Sequence, residues 1–431
     1  MPRRRSTWGS SEIVMNNPSS SIPNKTPSVD QPVKGKLCSS CGLCMVREWP
    51  AEESSKSCVF KNGWLGEQEA QLFGRERSVE SMEETRFGIS RKRFVGRIRN
   101  PLPDVQFSGI ITSIAKKAFE TGMVEAVATL HRSREDYFLP QPVLARSTEE
   151  ILASGGSKPV LAPVLVSLQT ACQQGIKRLL IIGAPCHVHT LRDFKQRFPY
   201  LKDMEIYHVG IPCTDNVEPK KFRRMLEKMS RSHQTVQFFE FMQDYTVHLR
   251  HENGWLERVP FFSLPRETSP TAFHPPACRG CLDYMNSLAD ITVGYMGASL
   301  RKKMYQWVVV RTERGEELCR LVADELETLP EETGGDCRKA VKNTVMQMIE
   351  QVKPKGAAEV KTRRKLPIWA GKIMAAIMKR IGPRGLEYAR YAIDMHLMVN
   401  YYYLKYNYTE LLTTLVPKHV YHVIKEYDLT P

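Results

Sequence analysis

From about residue 105 onward, the spacing of apolar residues predicts helices that alternate with short strands. Residues 110–121 have the period of an amphipathic helix that ends before Gly122. Residues 124–130 then form a predicted strand, residues 165–174 a helix, and residues 178–182 a short buried strand. Strand, helix and strand in this order are typical of parallel pairing. The pattern therefore predicts an α/β core.

Two later stretches follow other periods. Residues 238–241, 246–250 and 256–261 are predicted to form a strand meander with a tight turn at Asn253-Gly254. Residues 290–294 form one more predicted buried strand, and basic and aromatic helical segments follow residue 363. These additions give the α/β core some α+β character.

At 431 residues, the chain is longer than one hydrophobic core usually supports. We divide it into a disordered tail (1–36), a cysteine-rich N-terminal segment (37–104), an α/β core (105–330), a mobile linker (331–362) and a helical C-terminal region (363–431). The tail is rich in Ser, Pro and Arg, which is typical of either a disordered segment or an organelle transit peptide.

The charge balance is basic, with 62 Lys and Arg against 47 Asp and Glu, which gives a formal net charge of +15. Such a field favours acidic partners, which include nucleic acid, an anionic membrane surface and a small acidic redox protein. No apolar run reaches the roughly 20 residues that span a bilayer, so we expect no transmembrane helix. We also expect no secretion, and thiols in a reducing compartment more often ligate metals than form disulfides.

Eight of the eleven cysteines fall into compact groups, which are candidates for metal ligation. They are Cys38, Cys41, Cys44 and Cys58, then Cys186, then Cys213, and finally Cys278 and Cys281. Four thiolates are the usual ligand set of one 4Fe–4S cluster, so eight predict two clusters. Cys172, Cys319 and Cys337 stand alone and are interpreted as packing thiols.

The spacing of these cysteines favours iron–sulfur clusters and leaves zinc open. The Cys-x2-Cys-x2-Cys run from Cys38 to Cys44 can wrap one corner of a cube. Glu48 stands where a bacterial ferredoxin repeat would have its fourth cysteine, which excludes a plain ferredoxin repeat. Two Cys-x2-Cys pairs would also suit a structural zinc site.

The segment around Cys186 is the strongest candidate for a cofactor site on the predicted sheet. Gly183-Ala-Pro-Cys186 follows a strand and precedes a helix, which places the thiol at the carboxyl edge of the sheet. His187 and His189 are candidates for proton transfer there, and the alternative is that they cap the helix or face solvent. The sequence contains neither a Gly-x-Gly-x-x-Gly fingerprint nor a Walker loop.

A collinear set of motifs resembles one known family. The motifs are Cys38-Ser-Ser-Cys-Gly-Leu-Cys44, Gly183-Ala-Pro-Cys186, Cys213-Thr-Asp-Asn216, Glu240-Phe-Met-Gln-Asp-Tyr245, Cys278-Arg-Gly-Cys281-Leu-Asp-Tyr284 and Gly382-Pro-Arg-Gly-Leu-Glu-Tyr-Ala-Arg390. In these motifs the chain is similar to the beta subunits of deazaflavin-reducing hydrogenases. It is most similar to the chlorophyll branch, which holds 7-hydroxymethyl chlorophyll a reductases and ferredoxin-dependent 8-vinyl reductases of divinyl (proto)chlorophyllide.

The resemblance implies an enzyme with one FAD and two 4Fe–4S clusters, reduced by ferredoxin and acting on a tetrapyrrole. It implies that the eight grouped cysteines are the cluster ligands and that the α/β core binds the flavin, with the N-terminal segment carrying iron–sulfur ligands. Reduction of the 8-vinyl group is the leading expectation. The alternatives are 7-hydroxymethyl chlorophyll a reduction, or a deazaflavin- or bilin-linked paralogue. The implied location is a cyanobacterial cytoplasm or a plastid stroma.

Flavin contacts are expected at the turn that precedes the first predicted helix. Ser108, Gly109 and Thr112 are candidates to hold a pyrophosphate, and Lys158 to add positive charge. The alternative is ordinary helix capping and a surface lysine. The sequence departs from the chlorophyll reductases at His187 and His189, where they have Gln, and at Pro212, where they have Asn, which allows a paralogue that acts on another tetrapyrrole.

Two further interpretations stay open from the sequence. A zinc-stabilised scaffold that binds nucleic acid would also be basic, although no nucleic-acid motif is present and we expect no such partner. Residues 365–380 combine Trp369 with Lys365, Lys372, Lys379 and Arg380, so this segment could contact an anionic membrane or could pack on the core.

Overall fold

The computed structural model describes residues 36–44, 50–103, 105–133, 138–265, 274–298, 304–354 and 366–430. All of these residues belong to one compact unit, Pro32–Pro431. The predicted tail, except Lys36, lies outside the described residues, as do residues 355–362 of the predicted linker.

The strands of the described residues form one large sheet and two small ones. They are β1 (Lys92–Ile98), β2 (Ala126–Arg132), β3 (Pro140–Ala145), β4 (Arg178–Gly183), β5 (Glu205–Gly210), β6 (Val236–Met242), β7 (Thr246–His251), β8 (Leu256–Pro260), β9 (Ile291–Gly294), β10 (Gln306–Val310), β11 (Leu326–Leu329), β12 (Thr333–Gly334) and β13 (Arg384–Gly385). The large sheet has the order β11-β1-β10-β9-β5-β4-β2-β3, while β6-β7-β8 and β12-β13 pair separately.

The helices of the described residues are numbered in chain order. They are α1 (Ala51–Lys56), α2 (Val59–Asn62), α3 (Gly66–Phe73), α4 (Met82–Phe87), α5 (Ile110–Glu120), α6 (Thr148–Ala153), α7 (Val166–Gln173), α8 (Pro185–Arg197), α9 (Pro219–Met229), α10 (Pro276–Arg279), α11 (Glu313–Arg320), α12 (Arg338–Val352), α13 (Ile368–Ile381), α14 (Leu386–Asn407), α15 (Leu412–Leu415) and α16 (Lys418–Glu426). None of these helices is long and apolar enough to cross a membrane.

The centre of the large sheet confirms the predicted α/β core. Strands β2, β4, β5 and β9 pair in parallel, and antiparallel strands flank them on both sides. Side chains alternate between the two faces, so Val127 packs with α5 and α11 while Ala126 and Ala128 pack with α7 and α8. Both faces are therefore covered by helices, as a parallel sheet requires.

The local pattern did not predict β1, which lies inside the segment assigned to the cysteine-rich N-terminus. This strand pairs with β10 and β11, so that Phe94 lies opposite Val308. Partners so distant in sequence leave no local signal, since the strand is specified by the neighbours that it meets after folding.

The three-stranded sheet matches the predicted meander and has two different faces. Phe239, Val247, Leu249 and Val259 pack against Phe222 and the rest of the apolar face of α9. The alternate positions of β6, β7 and β8 point to the other side of the sheet, where they line a cavity.

The C-terminal helices form a core together with the N-terminal segment. Leu37, Phe60 and Trp64 are buried in the same cluster as α12, α14 and α16. Residues 338–352, which the sequence analysis predicted as part of a mobile linker, form α12. The predicted linker is therefore wrong over that range. The buried positions Val341, Val345, Ile349 and Val352 recur at helical spacing. Polar stretches flank this helix at both ends, so its short helical pattern of apolar residues is hard to recognise in the sequence.

Candidate functional site

The carboxyl ends of the parallel strands enclose a cavity of about 300 Å³. Its wall is made by Thr129 and Leu130 of β2, Ile182 and Gly183 of β4, the turn from Ile211 to Cys213 after β5, and Val293 and Gly294 of β9. Cofactors in open α/β sheets bind at this edge. We refer to this space as the sheet-edge cavity.

Three of the four predicted flavin contacts line the sheet-edge cavity, namely Gly109, Thr112 and Lys158. Ser108 is fully buried beside it, and its hydroxyl donates to the Oε1 atom of Gln306 at 3.4 Å. The same Oε1 atom accepts from the Ile110 amide at 3.3 Å. Ser108 and Gln306 therefore support the start of α5 from behind.

Gly109 gives α5 an N-terminus that is open to the cavity. Its φ of 76° is in the left-handed region, and this N-cap residue has no side chain of its own to cover the helix start. A Cβ at this position would lie 2.7 Å from Val105 Cγ2. Because the first amides of a helix attract anions, the cavity has a place for a phosphate group at this end.

Lys158 is not the surface lysine that was considered as an alternative. Its Nζ donates to the carbonyl oxygens of Ser154, Gly155 and Gly156 at 2.6, 3.2 and 2.9 Å. Burial and the nearby Arg132 lower its pKa to about 7. The charge of this side chain therefore responds to what occupies the cavity, since a bound anion would favour the protonated form.

His187 and His189 are both buried, so the alternative that they face solvent is wrong. Nδ1 of His187 accepts from the Ala184 amide at 3.1 Å, and Nε2 donates to the Ala162 carbonyl oxygen at 3.1 Å. This side chain caps α8 and lines the sheet-edge cavity, and burial lowers its pKa to about 4. His189 instead contacts Asp283 Oδ2 at 3.1 Å and the edge of Trp64. Proton transfer by either histidine stays a prediction.

The first four predicted ligands lie together near the N-terminus of the described chain. Burial raises the pKa of Cys58 to about 12, and the thiols of Cys41, Cys44 and Cys38 add to the increase. The same mutual effect connects Cys41 with Cys44 and Cys38. Cys38 is exposed and the other three are partly buried, so one side of this first thiol group reaches the surface.

The other four ligands form a second, deeper group from three distant parts of the chain. Burial raises the pKa of Cys281, and the thiols of Cys213, Cys186 and Cys278 contribute further. Burial raises the pKa of Cys186, and Cys41 of the first group, then Cys213, and more weakly Cys58 add to the increase, so the two groups are neighbours. The accessible part of Cys213 faces the sheet-edge cavity, which it helps to line.

Side chains around the second thiol group fix its backbone. Nδ2 of Asn400 on α14 donates to the carbonyl oxygens of Cys278 and Cys281 at 3.2 and 2.8 Å. The Cys213 amide donates to the Tyr284 carbonyl oxygen at 3.0 Å. Within the described residues, no three such side chains are already arranged as a metal site. The donor set nevertheless fits iron–sulfur clusters, since each group supplies the four thiols that a cluster uses and needs no ligand of another type.

Burial alone would raise the pKa of Asp283, which follows the second thiol group in sequence. The hydrogen bond from His189, together with Arg77 and the Ser287 amide, holds it well below its usual range. Asp283 also accepts from the Ser287 hydroxyl at 2.9 Å. This buried carboxylate connects α8, which carries Cys186, with the loop that carries Cys281.

A second cavity of about 440 Å³ lies on the open face of the three-stranded sheet. Glu240, His248 and Arg258 are directly opposite one another on β6, β7 and β8, so their side chains form one row across the sheet. Phe238 and Arg250 form the next pair, with the guanidinium 3.4 Å from the ring centroid. We refer to this space as the meander cavity.

Two carboxyl groups of the meander cavity have pKa values that are shifted in opposite directions. Burial raises the pKa of Glu240, although Arg250, His248 and Gln106 partly oppose it. Burial acts in the same direction on Asp244, but hydrogen bonds from His248 and Thr246 leave its pKa below the usual value. Nε2 of His248 lies 2.8 Å from Asp244 Oδ2. The cavity therefore holds a carboxyl group whose charged form is disfavoured by burial, beside an imidazole–carboxylate pair.

Phe107 and Tyr295 line both cavities and form the boundary that the two share. Their rings are stacked, with centroids 5.8 Å apart and planes inclined by 19°. Phe107 has a φ of 53°, which is uncommon for a residue other than glycine. A planar molecule in one cavity and a planar molecule in the other would be separated by no more than these aromatic side chains.

No catalytic or substrate-binding role was predicted for the row of Glu240, His248 and Arg258. Glu240 was noted only as part of a family motif, and His248 and Arg258 were not identified. Alternation along β6 could have indicated that Phe238, Glu240 and Met242 share one face. Their alignment with β7 and β8 depends on the register of pairing, which a single strand does not reveal.

Comparisons with known proteins agree with the motifs. Two models of one family, the coenzyme F420 hydrogenase/dehydrogenase beta subunits, match this chain. The N-terminal model of that family matches residues 93–169, and its C-terminal model matches residues 176–333. The chain is also 38% identical to an uncharacterized protein of Nostoc sp. over 94% of this chain and 96% of that protein.

A second relative has a named activity. The chloroplastic 7-hydroxymethyl chlorophyll a reductase of Oryza sativa subsp. japonica is 33% identical, over 91% of this chain and 82% of its own length. Among solved structures, a chain of the F420-reducing NiFe hydrogenase complex from Methanosarcina barkeri aligns with a TM-score of 0.53 at 21% identity. That alignment covers 73% of this chain and 93% of the other, and it indicates a shared fold.

Proposed function

The chain belongs to the coenzyme F420 hydrogenase/dehydrogenase beta subunit family, and we propose that it is a ferredoxin-dependent iron–sulfur flavoprotein that reduces a chlorophyll-type tetrapyrrole. One observation carries the proposal. Two groups of four thiols are neighbours, the second group reaches the sheet-edge cavity through Cys213, and that cavity meets a second one lined by acid–base groups.

The two thiol groups are the proposed ligand sets of two 4Fe–4S clusters. One set is Cys38, Cys41, Cys44 and Cys58, and the other is Cys186, Cys213, Cys278 and Cys281. With a flavin in the sheet-edge cavity, the clusters would supply single electrons and the flavin would store two. Cys213 belongs to both the second group and the cavity wall, which supports their close approach.

The sheet-edge cavity is the proposed FAD site. The amides at the start of α5 and the charge of Lys158 would hold the pyrophosphate, while Gly109 keeps the approach free of a side chain. His187 adds a neutral imidazole to the same wall. Asn286 fixes two of the strand ends, since its Nδ2 donates to the carbonyl oxygens of Gly183 and Ile211.

The meander cavity is the proposed substrate site. Its aromatic boundary, Phe107 and Tyr295, suits a flat macrocycle, and Arg258 and Lys379 at its rim suit a carboxylate side chain. Glu240, whose pKa is raised by burial, is the proposed proton donor. His248 and Asp244 are in position to restore that proton from solvent.

An acidic electron donor such as ferredoxin fits the surface beside the first thiol group. Cys38 is exposed there, and Lys61 is close enough to lower the pKa of Cys44 against the larger effect of burial. The net charge of +15 supports association with an acidic protein. We propose that ferredoxin approaches at this end of the molecule.

The identity of the tetrapyrrole is the most specific part of the proposal. The rice relative favours reduction of a 7-hydroxymethyl group, which consumes two electrons and two protons and releases water. Reduction of an 8-vinyl group, the leading expectation from the sequence, also consumes two electrons and two protons and stays the second candidate. His187 and Pro212, at which the sequence predicts a departure from the chlorophyll reductases, both line the sheet-edge cavity and bear on this choice. The proposed location is a plastid stroma or a cyanobacterial cytoplasm.

The test is anaerobic turnover with photoreduced ferredoxin. Purified protein should contain flavin and iron. It should consume either a 7-hydroxymethyl or an 8-vinyl chlorophyll-type pigment, and chromatography of the pigments measures this consumption. Consumption of one substrate and not the other decides between the two candidates. Colourless protein that contains zinc and no iron would contradict the whole proposal and favour the zinc scaffold.

A further inference from the structure

Helix α13 exposes an unusual amount of apolar surface. Of the twelve large apolar side chains that are exposed in the described residues, five lie on this helix. Trp369, Ile373, Ile377 and Ile381 recur every four residues and therefore follow one side of it. Trp369 is 68% exposed and Ile381 is 67% exposed. We call these four residues the α13 face.

The other side of α13 is firmly attached to the protein. Gly371 and Ala375 are buried, and a Cβ on Gly371 would lie 3.0 Å from Pro260 Cβ. The Leu366 amide donates to the Phe262 carbonyl oxygen at 3.0 Å, just before the helix begins. The exposed residues are thus held outward by a helix that is packed against the end of the three-stranded sheet.

The charges on α13 indicate what the face binds. The helix carries Lys372, Lys379 and Arg380 and contains no acidic residue. Two copies of such a helix would bring like charges together, so self-association through this face is disfavoured. An apolar row with an exposed tryptophan and basic neighbours is the composition of helices that lie in the interface of an anionic bilayer.

The α13 face lies close to the opening of the meander cavity. Lys379 extends from α13 to the rim of the meander cavity, where Met304 is also exposed. A surface that contacts α13 would therefore lie next to the opening of that cavity. An apolar molecule dissolved in the surface could reach the cavity without crossing water.

We propose that the α13 face docks the protein on an anionic lipid membrane, with the meander cavity opening beside the lipid. Docking itself needs none of the chemistry proposed above, so the two proposals fail separately. The expected ligand is a lipid surface with negatively charged headgroups, and its apolar phase is the source of the substrate.

The test is flotation of the full chain with vesicles made of phosphatidylglycerol and phosphatidylcholine in equal parts. Wild-type protein should float with them, and a Trp369→Ser/Ile373→Ser variant should partition at least about tenfold less. Trp255→Ser is the matched control, because Trp255 is also 51% exposed but lies in the β7–β8 turn. It should float like the wild type.

A charge variant and two further measurements complete the test. Lys372→Gln/Arg380→Gln should weaken binding to the anionic vesicles by roughly tenfold or more, since each basic residue contributes about fivefold. Light scattering and turnover of a detergent-dissolved substrate should be the same for all variants. Flotation of the Trp369→Ser/Ile373→Ser variant like the wild type would overturn the proposal, as would equal binding to vesicles of phosphatidylcholine alone. A wild-type oligomer that this variant dissociates would assign the face to a second copy.

Discussion

The sheet-edge cavity and the meander cavity share Phe107 and Tyr295, yet they are built in opposite ways. Strand ends, glycines and main-chain carbonyl groups contribute to the wall and support of the first. Charged side chains on alternate strand positions form the second. The cofactor side therefore depends on the backbone of the fold itself, and the substrate side can vary by exchange of side chains.

Because of this difference, substitutions in the two regions should have different effects. A change on the cofactor side disturbs backbone or ligands, so it should reduce cofactor content and stability together. A change on the substrate side leaves the fold in place, so it should alter rate and pH dependence alone. Substitutions on each side, and at the boundary between them, test this separation.

The largest effect is expected from loss of a thiol in the second group. Cys281→Ser should remove about half of the iron and reduce the turnover rate by at least about a thousandfold, because the variant loses one ligand of a four-thiol set. Iron content and electron paramagnetic resonance of the reduced protein measure this. Cys319→Ser is the control, since this partly buried thiol lies on α11 and packs against the core. Full iron content in Cys281→Ser would remove this residue from the ligand set.

A loss of flavin affinity is expected from a substitution at the start of α5. Gly109→Ala places a side chain in the left-handed region, which costs about 1–2 kcal/mol, and adds the contact with Val105. Because the helix start would shift, the flavin dissociation constant should rise by at least about tenfold.

Gly122→Ala provides a matched control at the other end of the same helix. Gly122 has a φ of 71°, but a Cβ there would meet no atom within 4 Å. Thermal unfolding should show a loss of about 1 kcal/mol without loss of flavin. Equal loss of flavin in both variants would mean that stability, not the open helix start, controls binding.

The sequence predicted the cofactor side better than the substrate side for a physical reason. The strand at 178–182 and the helix at 110–121 follow from local periodicity, and they correspond to β4 and α5. Cysteine spacing selected eight thiols, but their division into two groups depends on contacts between Cys186, Cys213 and Cys281, which lie far apart in the chain. The row of Glu240, His248 and Arg258 exists only after three strands have paired in register.

On the substrate side, Glu240→Gln should lower kcat by roughly a hundredfold with little change in flavin, iron or stability. Burial raises the pKa of Glu240, because the charged carboxylate is disfavoured there. The donating form is therefore present at low pH and is lost as the pH rises through that raised value. The wild-type rate should fall over this range, and the profile of the variant should lack this descending limb.

Glu257→Gln is the control for this acid. Glu257 precedes Arg258 on β8, so its side chain points to the opposite face of the strand, where it contacts His251 at 3.3 Å. Its rate and pH profile should match the wild type. An unchanged descending limb in Glu240→Gln would mean that another group, such as His248, donates the proton.

The smallest predicted effect concerns the boundary that both cavities share. If Phe107 and Tyr295 act as one stacked unit, Phe107→Leu and Tyr295→Leu should not add: a double-mutant cycle on substrate affinity should give a coupling of about 0.5–1.5 kcal/mol. The flavin dissociation constant should show a coupling of the same sign, because the pair lines both cavities. Phe198→Leu and Tyr200→Leu form the control cycle, since these rings stack at a similar distance of 5.7 Å and the Tyr200 side chain is exposed. Additive effects at Phe107 and Tyr295 would mean that the stacked pair does not couple binding in the two cavities. The substrate would then contact the flavin side of this boundary through a single ring.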